Sequence, residues 1–306
     1  MTLNQLRTFL AVAETGSVHA AAQDLVVTQA AVSASLAALQ KSLGVALLEP
    51  DGRGLRLTAA GRAYAGYVRR VLGLLDEAGR AAAAAADPER GELRIAAVTT
   101  AAEQILPGLL SGFRTRYPRL GVRLEAGNRD RVRGLLDRHQ VDLVLGGRPE
   151  PGWDVQVLAV RAHQLVVVAA PGLAAPGLAA TARPGGRDLV PWLAGQAWLL
   201  REPGSGTRAA TDALLTELDI APLTLMVGSN GAIRESASVG LGVTLISRDA
   251  VAAELADGRL VPLPVPGTPL HRDWYLVAHP GPLPPAAGRL VAHVLARGGF
   301  HSPPLP

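Results

Sequence analysis

Four short stretches combine glycine, hydroxyl and amide side chains: Thr99-Thr100, Asn128, Gly204-Ser205-Gly206-Thr207 and Gly228-Ser229-Asn230. Each follows an apolar run and precedes an amphipathic one, where a strand gives way to a helix. The first turn of a helix leaves backbone N–H groups without intrahelical acceptors, and the helix dipole adds positive potential there. Such turns suit an anion. Arg201 and Arg208 flank the glycine stretch, and Arg148 follows another apolar run. Thr99, Thr100, Asn128, Arg148, Arg201, Ser205, Gly206, Thr207, Arg208, Ser229 and Asn230 are therefore the candidate residues of a pocket for a small anion. Taken singly, each turn is also explained as an ordinary helix cap.

Catalytic patterns are absent. Ser205 stands in Pro-Gly-Ser-Gly-Thr, which is neither a nucleophile elbow nor a phosphate loop. The seven histidines show no metal-ligand spacing, and Gly240-Leu241-Gly242 lacks the third glycine of a dinucleotide fingerprint. No enzymatic activity and no cofactor are expected, only an anionic small-molecule effector. The alternative is a solute-binding protein or an enzyme using the α/β part, with residues 1–90 serving as an interaction module.

A second candidate site is Thr28 to Gly44, TQAAVSASLAALQKSLG. Thr28 can cap a helix and Gly44 can close it. Val32, Leu36, Leu39 and Leu43 recur at helical spacing, so one stripe is apolar. The other side is small and polar, which suits the DNA major groove. Thr28, Gln29, Ala30, Ser33, Ser35 and Lys41 are the candidate contacts. An ordinary amphipathic surface helix is the competing reading. Up to Ala60 the bases Arg7, Lys41, Arg53 and Arg56 are matched by Glu14, Asp24, Glu49 and Asp51. Pattern, not charge, carries the DNA reading.

The elements that would position these residues follow from the chain order. Leu3, Leu6, Phe9, Leu10 and Ala13 mark a helix ending near Gly16. Ser17 caps a short one holding Ala20, Ala21 and Leu25, so the pair with Thr28–Gly44 reads as a helix-turn-helix. Two apolar runs around Asp51-Gly52-Arg53-Gly54 read as a hairpin, a wing carrying Arg53 and Arg56 toward phosphates. Thr58 caps a helical stretch to about Ala86, roughly 43 Å long at 1.5 Å per residue. Such a helix buries its stripe best against a copy of itself, giving a two-fold dimer. Asp87 to Gly91 breaks it as a hinge.

Beyond residue 91, strand-like runs at 93–98, 121–126, 141–145, 164–170, 198–200, 223–227, 243–246 and 274–278 alternate with helical ones. This rhythm predicts parallel sheets with helices on their faces. A helix is expected from about 102 to 117, and a Gly- and Pro-rich loop over 171–191. The expected domains are a winged helix-turn-helix over 1–58, a linker helix and hinge over 59–90, and an effector domain over 91–306. The last is periplasmic-binding-protein-like, with subdomain I at about 91–162 plus 268–306 and subdomain II at about 163–267.

Composition sets the outer bounds. The 306 residues suffice for two or three domains. The chain is 48% hydrophobic and has no cysteine. Its mean hydropathy of +0.22 owes much to alanine. Every apolar stretch is broken within about 18 residues, so no membrane span is expected. The start carries no signal pattern, which predicts a cytoplasmic protein.

Residues 1 to 65 resemble the N-terminus of LysR-type transcriptional regulators. The matching positions are Leu6, Phe9, Gly16-Ser17, Ala20-Ala21, Leu25, Thr28-Gln29, Ala31-Val32-Ser33, Leu39, Leu43-Gly44, Leu47, Leu57-Thr58 and Ala60-Gly61. The resemblance implies a winged helix-turn-helix, a dimerising linker helix and a C-terminal effector domain. The implied partners are double-stranded promoter DNA, a small anionic metabolite and a second copy of the chain, with pairing of dimers and contact with RNA polymerase as further candidates. The family's usual Pro, Glu, Phe and Arg are replaced by Ala30, Gln40, Leu48 and Pro50, and the basic or long polar residues common in the family are missing at Ala34 and Ser35, which leaves Gln29 as the main base reader with Thr28, Ser33 and Ser35 assisting. Gly127-Asn128-Arg129, Gly147-Arg148-Pro149, Arg201 to Arg208 and Gly228-Ser229-Asn230 resemble regulators of Calvin-cycle operons. That subgroup implies a phosphorylated metabolite or nucleotide as effector. Its usual Lys after the first-strand Ser/Thr is Ala101 here.

Overall fold

The computed structural model describes residues 1–52, 54–87, 91–173 and 189–303. Arg53, the centre of the expected hinge and most of the expected 171–191 loop lie outside the described residues. The chain divides into two compact units, Met1–Ala83 with Asp137–Gln140, and Ala84–Leu136 with Val141–Pro306.

In the first unit, α1 (Leu3–Thr15) starts on a capping box between Thr2 and Gln5 and ends at Gly16, whose φ is +65°. Ser17 caps α2 (Val18–Asp24) through the N–H of Ala20. Thr28 caps α3 (Gln29–Leu43) through Ala31, and Gly44 closes it at φ +70°. α2 and α3 meet at a bend of 108°, within the helix-turn-helix range. Leu6, Phe9, Val12, Ala21, Val32, Leu36 and Leu39 form their common core. Strands β1 (Leu48–Asp51) and β2 (Gly54–Leu57) pair antiparallel as the wing. The Oε1 of Gln40 accepts the Leu47 and Leu48 N–H groups at 2.7 and 3.3 Å, tying the wing to α3.

Helix α4 runs over 28 residues, Ala59–Ala86. Its expected apolar stripe divides in two. Ala65 and Val68 enter the core with Tyr64 and Leu72, whereas Tyr67, Val71, Leu74 and Leu75 stay exposed.

The turn between α2 and α3 places Val26 at φ +55° while leaving it 89% exposed. A β-branched residue is disfavoured in that left-handed region by roughly 1–2 kcal/mol. Val26→Asn is therefore expected to stabilise the first unit by about 1 kcal/mol. A urea denaturation midpoint equal to wild type would remove the claim of strain.

The second unit comprises β3 (Gly91–Val98), α5 (Thr99–Gln104), α6 (Leu106–Arg116), β4 (Leu120–Gly127), α7 (Arg129–Asp137), β5 (Leu143–Gly146), β6 (Gln156–Arg161), β7 (Gln164–Ala169), α8 (Val190–Ala194), β8 (Trp198–Leu200), α9 (Gly206–Glu217), β9 (Thr224–Met226), α10 (Asn230–Ser238), β10 (Thr244–Ser247), α11 (Ala252–Ala256), β11 (Val261–Pro262), β12 (Leu270–His271), β13 (Trp274–Ala278) and α12 (Pro285–Arg297). The single helix expected over 102–117 is two, broken at Ile105. Pro107 tolerates the first turn of α6, where its missing N–H is not needed.

One sheet has the order β4-β3-β5-β13-β6. β3 is parallel to β4 and β5, and β13 returns antiparallel between β5 and β6. Leu93, Ile95, Leu143, Leu276 and Leu290 of α12 belong to its core. The second sheet departs from the parallel expectation. β7 pairs antiparallel with β10, β11 and β12, and β8 and β9 form a separate parallel pair beside it. Because Leu270 and His271 pair with β7, the return to the first sheet falls just after His271.

Two short connections therefore join the sheets, 162–163 going out and 272–273 coming back. They lie side by side, with the Arg272 N–H donating to the His163 carbonyl at 2.8 Å. Among the described residues, no single helix is long and apolar enough to cross a membrane.

Candidate functional site

The caps described above fix which residues α3 turns outward. Gln29, Ala30, Ser33 and Lys41 are exposed, and Thr28 spends its hydroxyl on the helix cap, 3.2 Å from the Ala31 N–H. Ser35 is half-buried. At about 100° per residue it falls on the opposite flank of the buried stripe from Gln29 and Ser33. On the wing, Arg56 pairs with Glu49 across the strands at 2.9 Å. An exposed pair of this kind is worth little, so Arg56 can exchange Glu49 for a phosphate.

In the second unit, a cavity of about 370 Å³ opens where the carboxyl ends of β3, β4, β5 and β8 meet the connections between the sheets. Open α/β sheets bind ligands at such strand ends. Thr99, Thr100, Asn128, Arg148, Arg201, Ser205, Gly206 and Thr207 all line it. Arg129, Arg148, Arg201 and Arg272 face it against the single acid Asp273. The Ser205 side chain makes no cap hydrogen bond at the start of α9. Gly204 stands at φ +84°, where an added Cβ would lie 3.0 Å from Asn128 Nδ2. Glycine lets the two loops approach across the cavity mouth.

Three expected residues fall elsewhere. Arg208 holds both carboxylate oxygens of Asp212 at 2.9 Å and lines a separate cavity with Asp130 and Gly204. Its i, i+4 partner draws it off the main cavity. Ser229 accepts the Ala232 N–H at 3.1 Å as a plain cap. Asn230 stands behind the cavity wall. It accepts from Arg201 Nη1 and donates to Thr100 Oγ1 at 2.8 Å. Arg201, Asn230 and Thr100 are all buried, and Arg201 also holds Glu202 through two bonds of 2.7 and 2.8 Å. That pairing keeps the Glu202 carboxyl below its ordinary range.

Comparison with known proteins decides between the open readings. Residues 3–62 match the bacterial regulatory helix-turn-helix protein family of lysR type, and residues 86–299 match the LysR substrate binding domain. The chain belongs to the LysR family. It is a DNA-binding LysR-type transcriptional regulator. It is 36% identical over 296 residues to the transcriptional regulator CbbR of Rhodospirillum rubrum, covering 96% of each chain. Full-length CbnR complexed with its target DNA superposes with a TM-score of 0.68 at 25% identity, over 97% of this chain and 99% of that one. The regulatory domain of CcmR from Synechocystis PCC6803, in complex with 2-PG, superposes at 0.60 with 27% identity, over 68% and 97%. These relatives are named as regulators, the non-enzyme class expected from the missing catalytic patterns.

The cavity wall of this LysR regulator includes residues that the sequence motifs did not single out: His163, Leu165, His271, Arg272, Asp273, Trp274 and Tyr275. All lie at or beside the connections between the sheets. His163 is buried, 3.0 Å from Ser247 Oγ through Nε2 and edge-on to Trp274 at 4.2 Å. Burial pushes its pKa from 6.5 down to about 4, with Asp249 opposing part of that shift. The unfolded chain then takes a proton below pH 6.5 that the native ring refuses. The regulator is thus expected to lose about 2 kcal/mol between pH 6.5 and about 5, before most carboxylates protonate. Denaturant titrations across that range should show the loss in wild type and a flat profile in His163→Gln. Equal slopes would mean the ring is not the titrating group.

Proposed function

We propose that the cavity between the two sheets is the effector site of this regulator and that the effector is a small anion. The observation that carries this reading is a lining in which Arg148 and Arg272 stand beside Asp273, with Arg129 and Arg201 held by Glu150 and Glu202, and the first turn of α9 opens onto the same space. The CcmR regulatory domain bound to 2-PG supports a small-molecule ligand for this module. Thermal-shift titration of the full chain with 2-PG, inorganic phosphate and a neutral sugar tests the charge requirement. A ligand at a hundred times its Kd should stabilise by about 2.7 kcal/mol. Stabilisation by the sugar alone would overturn the anionic assignment.

The same reading assembles the chain as a homodimer through α4, whose exposed Tyr67, Val71, Leu74 and Leu75 form one stripe at helical spacing. Two heads then read an interrupted palindrome, and a dimer of dimers extends the contact. The anion acts by binding one cleft angle better than another, a population shift. Its DNA target puts the protein in the cytoplasm.

Gln29, exposed at the start of α3, is the base reader. Gln29→Ala is expected to weaken specific binding by about 1–3 kcal/mol while leaving non-specific binding intact. A mobility-shift titration with unchanged specificity would exclude that role.

A further inference from the structure

His19 lies on the exposed side of α2. Its Nδ1 sits 3.0 Å from the Nε2 of Gln29, ten residues along the chain and on the recognition helix. An amide NH2 group only donates. In this pairing Nδ1 is the acceptor. We infer that His19 is a positioning residue for sequence reading, holding the Gln29 amide in the one orientation that recognises an A·T base pair.

The inference rests on Gln29 as base reader. With one N–H given to His19, the Gln29 amide keeps one N–H and its carbonyl oxygen. That donor–acceptor pair matches the N7 acceptor and N6 donor that adenine presents in the major groove. The terminal torsion of a free glutamine is broad and two-fold, so an untethered amide presents its donor and acceptor in either order. His19 removes that freedom before DNA arrives, and the gain is preorganisation. The platform is firm. Ser17 caps α2, Ala21 and Ala22 are buried beneath it, and Thr28 caps α3 one residue before Gln29.

The test is selection of randomised DNA duplexes by the full-length chain, compared across variants. The position whose preference Gln29→Ala flattens is the position that Gln29 reads, and wild type should prefer adenine there. His19→Ala is expected to lower that preference about tenfold and to leave other positions unchanged. His19→Asn places Oδ1 where Nδ1 was and so keeps the acceptor. It should retain the preference to within about twofold. A wild-type preference in His19→Ala overturns the proposal, and so does an Asn variant that fares no better than Ala. If Gln29→Ala flattens no position, Gln29 is not the reader and the proposal falls with it. If Gln29→Ala flattens one and His19→Ala does not, only the positioning role fails.

Discussion

An Arg201→Met variant should lose the anion response of the cavity and about 3 kcal/mol of stability. Arg201 is 5% exposed and uses three nitrogens at once. Nε and Nη2 hold Glu202, and Nη1 holds the Oδ1 of Asn230. Asn230 in turn donates to Thr100 Oγ1, so the bonds run from β8 through α10 to α5 on the other sheet. Methionine fills much of the same volume but donates nothing. Asn230 Oδ1 then loses its donor in a buried place, which costs the desolvation of that group. Breaking a fully buried ionic pair costs about 3–5 kcal/mol. Glu202 is half-buried and can be partly rehydrated, so the low end applies. Its depressed pKa means the pair contributes above the ordinary carboxylate range and fades as pH falls through the native value. The variant should lack that acid-labile component. Denaturant titration reads the stability, and thermal shift with inorganic phosphate reads the cavity. Arg208→Ala is the contrasting variant, expected to keep the phosphate response because Arg208 lines the separate cavity and not this one. Equal responses in wild type and Arg201→Met would reduce Arg201 to support of the wall.

Gly61→Ala is expected to abolish DNA binding while leaving the effector domain intact. A Cβ on Gly61 would lie 1.9 Å from the carbonyl oxygen of Leu47 and 3.0 Å from Leu57 Cδ2. The Leu47 oxygen is already committed, accepting the Thr58 N–H at 3.0 Å. Thr58 Oγ1 meanwhile donates to Ala46 and accepts from the Gly61 N–H, at 2.8 and 2.9 Å. A methyl group therefore drives the wing off the first turn of α4 and breaks this junction. Overpacking costs about 1–3 kcal/mol where side chains can yield. Here the obstacle is backbone, so about 3 kcal/mol or more is expected. Gly66→Ala on the same helix meets nothing within 4 Å and should be neutral or slightly stabilising. All four tryptophans, Trp153, Trp192, Trp198 and Trp274, lie in the second unit. Tryptophan fluorescence thus follows that unit alone while anisotropy of labelled DNA follows the head. Normal DNA binding by Gly61→Ala would show that the wing can shift without loss of function.

The head was the most legible part of the sequence because its signals are local. Ser17, Thr28 and Gly44 are caps whose chemistry acts within one helical turn, and the hairpin runs flank their own turn. In the second unit, Thr99, Asn128 and Ser205 were found because each stands where a strand passes into a helix. His163 and Trp274 carry no such mark, since they reach the cavity through the crossing of two connections distant in sequence. Strand β6 escaped notice because it is a half-buried edge strand, with a burial pattern weaker than the fully buried β5. The antiparallel pairing of β7 depends on partners as distant as His271, opposite Gln164. Periodicity reports the faces of a strand and is silent on the direction of its neighbours.

The two connections at 162–163 and 272–273, bonded to each other through His163 and Arg272, amount mechanically to a flexure. Paired short strips bend about the axis they share and resist shear. On the proposed reading of the cavity, a ligand wedged between the two halves sets the angle about that shared axis, and the signal that would leave the domain is a rotation.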